Sequence, residues 1–373
     1  MTRVISFSVG SLFPQLVNPE QSPWEWADEV ERTFDLIPSV TDLQIDGARD
    51  ANYFFDTGSL DEPDHLIYHP IPAHGQVRFR ITIPSRVQER LKGWSVSDGN
   101  RVQDFIVFID LDSRYPCTFV IPQDPEGERL RPSGAMIIIR EFLKEELGKL
   151  GDKATVRLTT MGPSPFHADF YVSEGEGGDP VEPNFSLTRK HGHGYSVWDF
   201  QFDGTSFDTP QQALVKILER CRSEFGSFYR IEASGLVELR TVKSFTKEVQ
   251  EAVSSYRRKG VKNWLHRVIR MRGEIRDLAL QLLTLQIDIA ERRRSSSSLV
   301  DALRERNPTL LLEKELSDKS DYEYTEDLER YSEILKVLET QQTQTVQRIT
   351  AFCVSLLGVV VGAVLTAVLR RSF

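Results

Sequence analysis

Three patterns of apolar and polar positions succeed one another along this chain. The last is the simplest. Residues 349–369 read ITAFCVSLLGVVVGAVLTAVL, with no charge, between Arg348 and the pair Arg370 and Arg371. As a helix rising about 1.5 Å per residue, this run covers roughly 30 Å, the thickness of a bilayer's hydrocarbon core. No other stretch has that length without a charge, so the pattern predicts a single-pass membrane helix.

The second pattern is a heptad seam. Val261, Trp264, Val268, Met271, Ile275, Leu278, Leu282, Leu285 and Ile289 alternate spacings of three and four, as the buried face of a packed or coiled-coil helix does. A second stripe, Ile269, Leu280, Leu283 and Ile287, widens that face and predicts neighbours on two sides. Arg292 to Arg294 and Ser295 to Ser298 predict the end of this helix, with a short one from Leu299. Asn307 reads as the cap of a further helix, with Pro308 in its first turn and Leu310 to Leu312 inside. Ser320 and Glu323 have the spacing of a capping box for the last helix.

That last helix repeats the seam through Tyr324, Leu328, Tyr331, Leu335 and Leu338. Gln342 and Thr345 follow, then Ile349, Phe352, Leu356 and Val359. The register does not break on entering the uncharged run. One helix from about Tyr322 to Leu369, roughly 70 Å long, is expected, with a stalk at 322–348 and the span at 349–369. Gln342 and Thr345 read either as a polar layer selecting register in a homo-oligomer or as a helix meeting interfacial water. Gly358, Gly362 and Thr366 recur at intervals of four, as in membrane helices that approach closely.

The third pattern fills residues 1–242, where strand-like and helix-like stretches alternate. Val4 to Val9 reads as a strand; it is too short and too interrupted by Ser and Gly for a signal peptide. QVRFRITI from Gln76 alternates with period two, and FIVFIDL from Phe105 is a continuous apolar run. Ser133 to Leu150 forms a helix stopped by Gly151. Further strands are expected at 118–121, 154–160, 168–172, 185–188 and 195–202, and a helix capped by Asp208 or Thr209 follows. Final strands are expected at Phe228 to Ile231 and Leu236 to Leu239. The mixture predicts an α+β domain on a mixed or antiparallel sheet, then a helical hairpin region at 243–321, the stalk and the span.

Composition narrows the partners. A formal net charge of -9 argues against nucleic-acid binding over most of the surface. Cys117, Cys221 and Cys353 are scattered, which fits a reducing compartment and argues against a disulfide framework or a zinc site. One local exception stands out: Arg257, Arg258, Lys259, Lys262, Arg267 and Arg270 cluster where an antiparallel helix pair would meet the membrane surface. Anionic lipid headgroups attract such a cluster, which predicts a cell-membrane protein with its N-terminal domain in the cytoplasm.

Catalytic signatures are sparse. There is no phosphate-binding Gly-Lys-Ser/Thr loop, G-x-S-x-G, H-E-x-x-H or C-x-x-C, and no motif names a cofactor or metal. His65 and His69 lie four apart in a segment without helical signals, and Gly162-Pro163-Ser164-Pro165 reads as a rigid turn. His167 and Asp169, with His191 and His193 or with Asp110 and Asp112, would make a metal or phosphodiester site if three segments converged. The other reading is surface histidines and solvated carboxylates.

The order of an α+β domain, a helical hairpin and a long helix entering the membrane resembles the layout of CorA-type magnesium channels. That family's second membrane helix and Gly-Met-Asn loop are absent, so the resemblance implies a layout and no magnesium conduction. The expected function is a self-associating sensor or effector. Its cytoplasmic domain would meet an unknown ligand or protein partner and control the membrane helix, which would perturb the bilayer or form a pore, as in small bacterial stress or phage-defence effectors. The alternatives are a tail-anchored scaffold or binding protein with no membrane activity, a CorA-like ion-channel relative, and a membrane-tethered metal-dependent hydrolase or nuclease.

Overall fold

A computed structural model describes residues 4–18, 25–46, 53–56, 68–71, 75–91, 102–111, 115–123, 132–160, 168–175, 177–192, 195–258, 260, 269–307, 309–320 and 325–371. The fold is α+β: a large mixed sheet comes first and long helices follow. The chain forms two compact units. Residues 1–237 and 296–320 make the first; residues 238–295 and 321–373 make the second. The segment 296–320 thus belongs with the N-terminal residues, not with the helices on either side of it.

The strands of the first unit are β1 (Ile5–Gly10), β2 (Leu12–Leu16), β3 (Val40–Asp46), β4 (Tyr53–Asp56), β5 (Tyr68–Ile71), β6 (Gln76–Thr82), β7 (Asp104–Asp110), β8 (Cys117–Pro122), β9 (Val156–Thr160), β10 (Ala168–Glu174), β11 (Asp179–Glu182), β12 (Phe185–Gly192) and β13 (Tyr195–Phe202). Nine of them form one sheet in the order β11-β12-β13-β10-β1-β8-β7-β6-β3. Every neighbouring pair is antiparallel except β10 and β13.

Both faces are covered, which is why the central strands read as apolar runs. Helices α1 (Trp26–Phe34) and α3 (Ser133–Leu150) join Val77, Phe79, Val107 and Ile109 in one core. Trp26 sits wholly inside, its indole Nε1 donating to Pro14 O at 2.7 Å. A short helix, α2 (Ser85–Arg90), follows β6 along the chain. The other core joins Phe7, Phe170 and Phe200 to the first part of α4 (Pro210–Arg257).

The strands expected at Phe228 and Leu236 are instead part of that 48-residue α4. Leu214, Ile217, Leu218, Cys221, Phe225, Phe228 and Tyr229 are buried at helical spacing, and burying one long stripe on a wide sheet outweighs local β preference. Thr209 caps α4, its Oγ1 accepting from Gln212 N at 3.3 Å. The expected stop after Arg292 is also absent. Helix α5 runs from Met271 to Arg306, straight through the serines, because Val300 and Leu303 are buried and a helical serine costs only a few tenths of a kcal/mol.

Asn307 does not cap a helix; its N–H donates to Leu303 O at the end of α5. The next helix, α6, spans Glu313–Ser320, and Leu310 to Leu312 lie buried before it. Ser320 Oγ donates to Ser317 O at 3.0 Å, so it closes α6. The last helix, α7, runs unbroken over Thr325–Arg371.

Candidate functional site

The second unit is built by three helices. Val242, Phe245, Val249 and Ala252 of α4 pack with Leu278, Leu282, Leu285 and Ile289 of α5 and with Leu328 and Leu335 of α7. Beyond them Met271, Ile275 and Leu338 form a second cluster, joined by Val253 and Tyr256. The pairings fix the directions. Thr246 Oγ1 and the Tyr331 hydroxyl are 2.7 Å apart, and the Phe245 and Tyr331 rings meet edge to face at 5.7 Å. Later α4 residues therefore lie beside later α7 residues, and α5 runs the opposite way.

This register sets Arg257 and Arg258 at the level of Gln342 and Thr343, with Arg270 and Arg272 close by. All four arginines are exposed. Among the described residues none of them forms an ion pair. Lys259, Lys262 and Arg267 lie outside the described residues. Gln342 is 2% exposed and Thr345 is half-buried, its Oγ1 donating to Gln341 O at 2.8 Å.

From Ala351 to Val361 every residue of α7 is exposed, Phe352 at 67% and Val359 at 72%. The helix is long and apolar enough to cross a membrane, with mean hydropathy 1.5 over its apolar window. A Cβ built on Gly358 meets nothing within 4 Å. Gly362 and Thr366 lie on the same helix; their side-chain surroundings fall outside the described residues. The stripe expected to widen the α5 face is not covered: Ile269, Leu280, Leu283 and Ile287 are 54–66% exposed. Leu280, Leu283 and Ile287 lie on the side of α5 away from its buried seam.

In the first unit the register puts two residues of the expected chemical site, Asp169 and His191, on opposite faces of the sheet. Ala168 pairs with Ser196, and Ser196 with His191, so these three share a face. Asp169 follows Ala168 and faces the other way. His191 is exposed and bonded through Nδ1 to Ser196 Oγ at 2.8 Å. His167, His193, His65, Asp112 and Ser164 lie outside the described residues. No group of three or more metal-ligating side chains occurs among the described residues.

Two polar constructions in this unit had escaped the sequence reading. On the Asp169 face, Ser6, Tyr171, Asp199 and Thr188 form a row across four strands. Ser6, Asp169, Tyr171 and Asp199 are all buried, and Asp199 accepts from Ser173 Oγ at 3.0 Å. The alternating stretch DFYVS was the available signal.

The other construction surrounds Glu224, which is wholly buried on α4. Its Oε2 accepts from Leu311 N at 2.6 Å and Leu312 N at 3.1 Å, and its Oε1 accepts from Arg220. Arg220 also donates to Thr309 O at 2.5 Å. Arg189 lies over the Trp198 ring at 4.1 Å and donates to Leu311 O. Burial raises the Glu224 carboxyl above its ordinary range, against the pull of Arg220 and the two N–H groups. Burial also pushes the Cys117 and Cys221 thiols well up. These are inert core thiols, not nucleophiles. A partly open cleft of about 410 Å³, with Arg78, Phe108, Gln123 and Leu214 in its walls, opens beside the start of α4.

Comparisons with protein families, curated proteins and solved structures find no match for this chain.

Proposed function

We propose that this is a single-pass membrane protein that self-associates through α7, its first unit acting as the part that senses a ligand or partner. The observation that carries the reading is the unbroken α7, which packs in the second unit at Leu328 to Leu338 and continues as the exposed apolar segment. At 100° per residue, the exposed Val337, Gln341 and Gln344 fall in one arc of about 100° with Ser355, Gly358 and Gly362. The centre of this arc lies about 150° around the helix from the centre of the buried face. A second copy in parallel would meet the stalk and the span along one continuous line, with small residues where lipid-embedded helices come closest. A stiff helix then passes rotation or displacement from the second unit into the bilayer.

Inserting alanines after Gln347 tests this. Three residues turn the span by about 300° relative to the stalk, whereas seven restore the phase to within about 20°. The expected result is that detergent-solubilised wild type and the seven-residue insertion share one oligomeric mass and one rate of dye release from vesicles, and that the three-residue insertion loses both. Equal behaviour of the two insertions would reduce α7 to an anchor.

A further inference from the structure

The basic end of the second unit has a placement that its composition alone does not give. Between Glu251 and Glu274 the chain carries seven Lys and Arg residues and no acidic one, in a protein of formal net charge -9. The described arginines of this run, Arg257, Arg258, Arg270 and Arg272, are exposed and without ion pairs among the described residues. Elsewhere, exposed basic side chains do find partners, as Arg90 and Lys149 find Glu145.

The contact register puts these four groups at one level. The Thr246–Tyr331 bond carried forward along the parallel helices α4 and α7 brings Arg257 to Gln342. Packing of Met271 and Ile275 with Leu338 brings Arg270 and Arg272 to the same height. From Gln342 to Ile349, where the uncharged run begins, is seven residues, about 10 Å of helix. The headgroup layer is about 5–8 Å thick on each side of a bilayer, and the field of a charged surface reaches roughly 8 Å beyond it. Arg348 stands at the boundary itself.

The geometry points to an anionic lipid surface as the partner of this end of the unit. The four exposed arginines lie at the end of the packed helices from which α7 continues into its uncharged segment, the level at which headgroup phosphates would meet them. The contact fixes orientation as well: the helical unit stays on the leaflet richer in anionic lipid, and α7 enters the membrane from that side. This inference rests on the membrane reading above, but not on self-association.

Full-length protein is reconstituted into phosphatidylcholine vesicles and into vesicles with an equal part of phosphatidylglycerol. Trypsin cleavage after Arg257, Arg258, Arg270 and Arg272 is followed by mass spectrometry at low and high salt. A basic group at an anionic surface gains roughly fivefold in binding. Cleavage at these four sites should therefore slow by about tenfold or more on the anionic vesicles, and high salt should abolish the difference. In an Arg257→Gln/Arg258→Gln variant, protection at Arg270 and Arg272 should fall several-fold. Equal cleavage on both vesicle types overturns the inference, as does protection that the variant leaves unchanged. Protection by added duplex DNA in place of anionic vesicles overturns it in favour of a nucleic-acid site. Protein that floats with neither vesicle type refutes the membrane reading itself, which keeps the two failures apart.

Discussion

Replacing Glu224 by alanine removes one carboxylate and leaves three donors without their acceptor. Leu311 N and Leu312 N lose bonds of 2.6 and 3.1 Å, and the Arg220 guanidinium loses its buried ion pair. Each stranded N–H costs about 1–3 kcal/mol. Arg220 keeps Thr309 O and a 3.3 Å contact with Glu182, whose side chain is 42% exposed, so its loss is partial. The sum is about 3–5 kcal/mol, the range for breaking a buried pair from one side. Thermal unfolding of the full chain in mild detergent, followed by near-ultraviolet dichroism of the aromatic core around Trp198, should show a midpoint lower by about 10 °C. A loss below about 1 kcal/mol would refute the reasoning, because the carboxylate would then not be what holds Leu311 and Leu312. Glu224→Gln gives a second check. Since burial raises this carboxyl in the folded state, its contribution is greatest below its ordinary value of 4.5 and declines as the pH rises through the raised folded value. Wild type should thus lose stability relative to Glu224→Gln across that interval, and a parallel pH dependence of the two proteins would contradict the burial argument.

Other perturbations separate packing from association. At Gly10, which ends β1, an added Cβ would sit 2.7 Å from Met136 Cγ and Sδ; Gly10→Ala should cost about 1–3 kcal/mol by overpacking, measured by the same melt. Leu283 is 56% exposed on the outer stripe of α5, so Leu283→Glu should leave the melting midpoint within about 0.5 kcal/mol of wild type while lowering the detergent-corrected oligomeric mass. An unchanged mass would exclude that stripe from the contact between copies.

Regular alternation and a glycine stop mark some one-sided elements in the sequence, though not the buried stripe of α4. The alternation of QVRFRITI became β6, and the run ended by Gly151 became α3, its stop set by a glycine at φ +53°. Short strands were lost because their burial is not periodic. Leu12–Leu16 is buried at every position although it contains Pro14 and Gln15, and Val40–Asp46 lies at the sheet edge with no fully buried residue. The Glu224 knot left no local signal at all. Its carboxylate and the N–H groups it satisfies are 87 and 88 positions apart, so a cap that normally sits beside its helix came from another one.

The heptad seams show most clearly what periodicity can and cannot decide. Spacing identifies apolar faces, and both α5 stripes were identified from it. The spacing says nothing about whether the covering partner belongs to the same chain. Met271, Ile275, Leu278, Leu282, Leu285 and Ile289 found partners on α4 and α7, whereas Leu280, Leu283 and Ile287 stay more than half exposed among the described residues. Three apolar side chains more than half exposed on a rigid helix are costly in water. Under the proposed insertion of α7, two copies would share one plane and their local concentration would rise steeply, so whether a second copy covers this stripe is a question for the Leu283→Glu measurement and not for spacing.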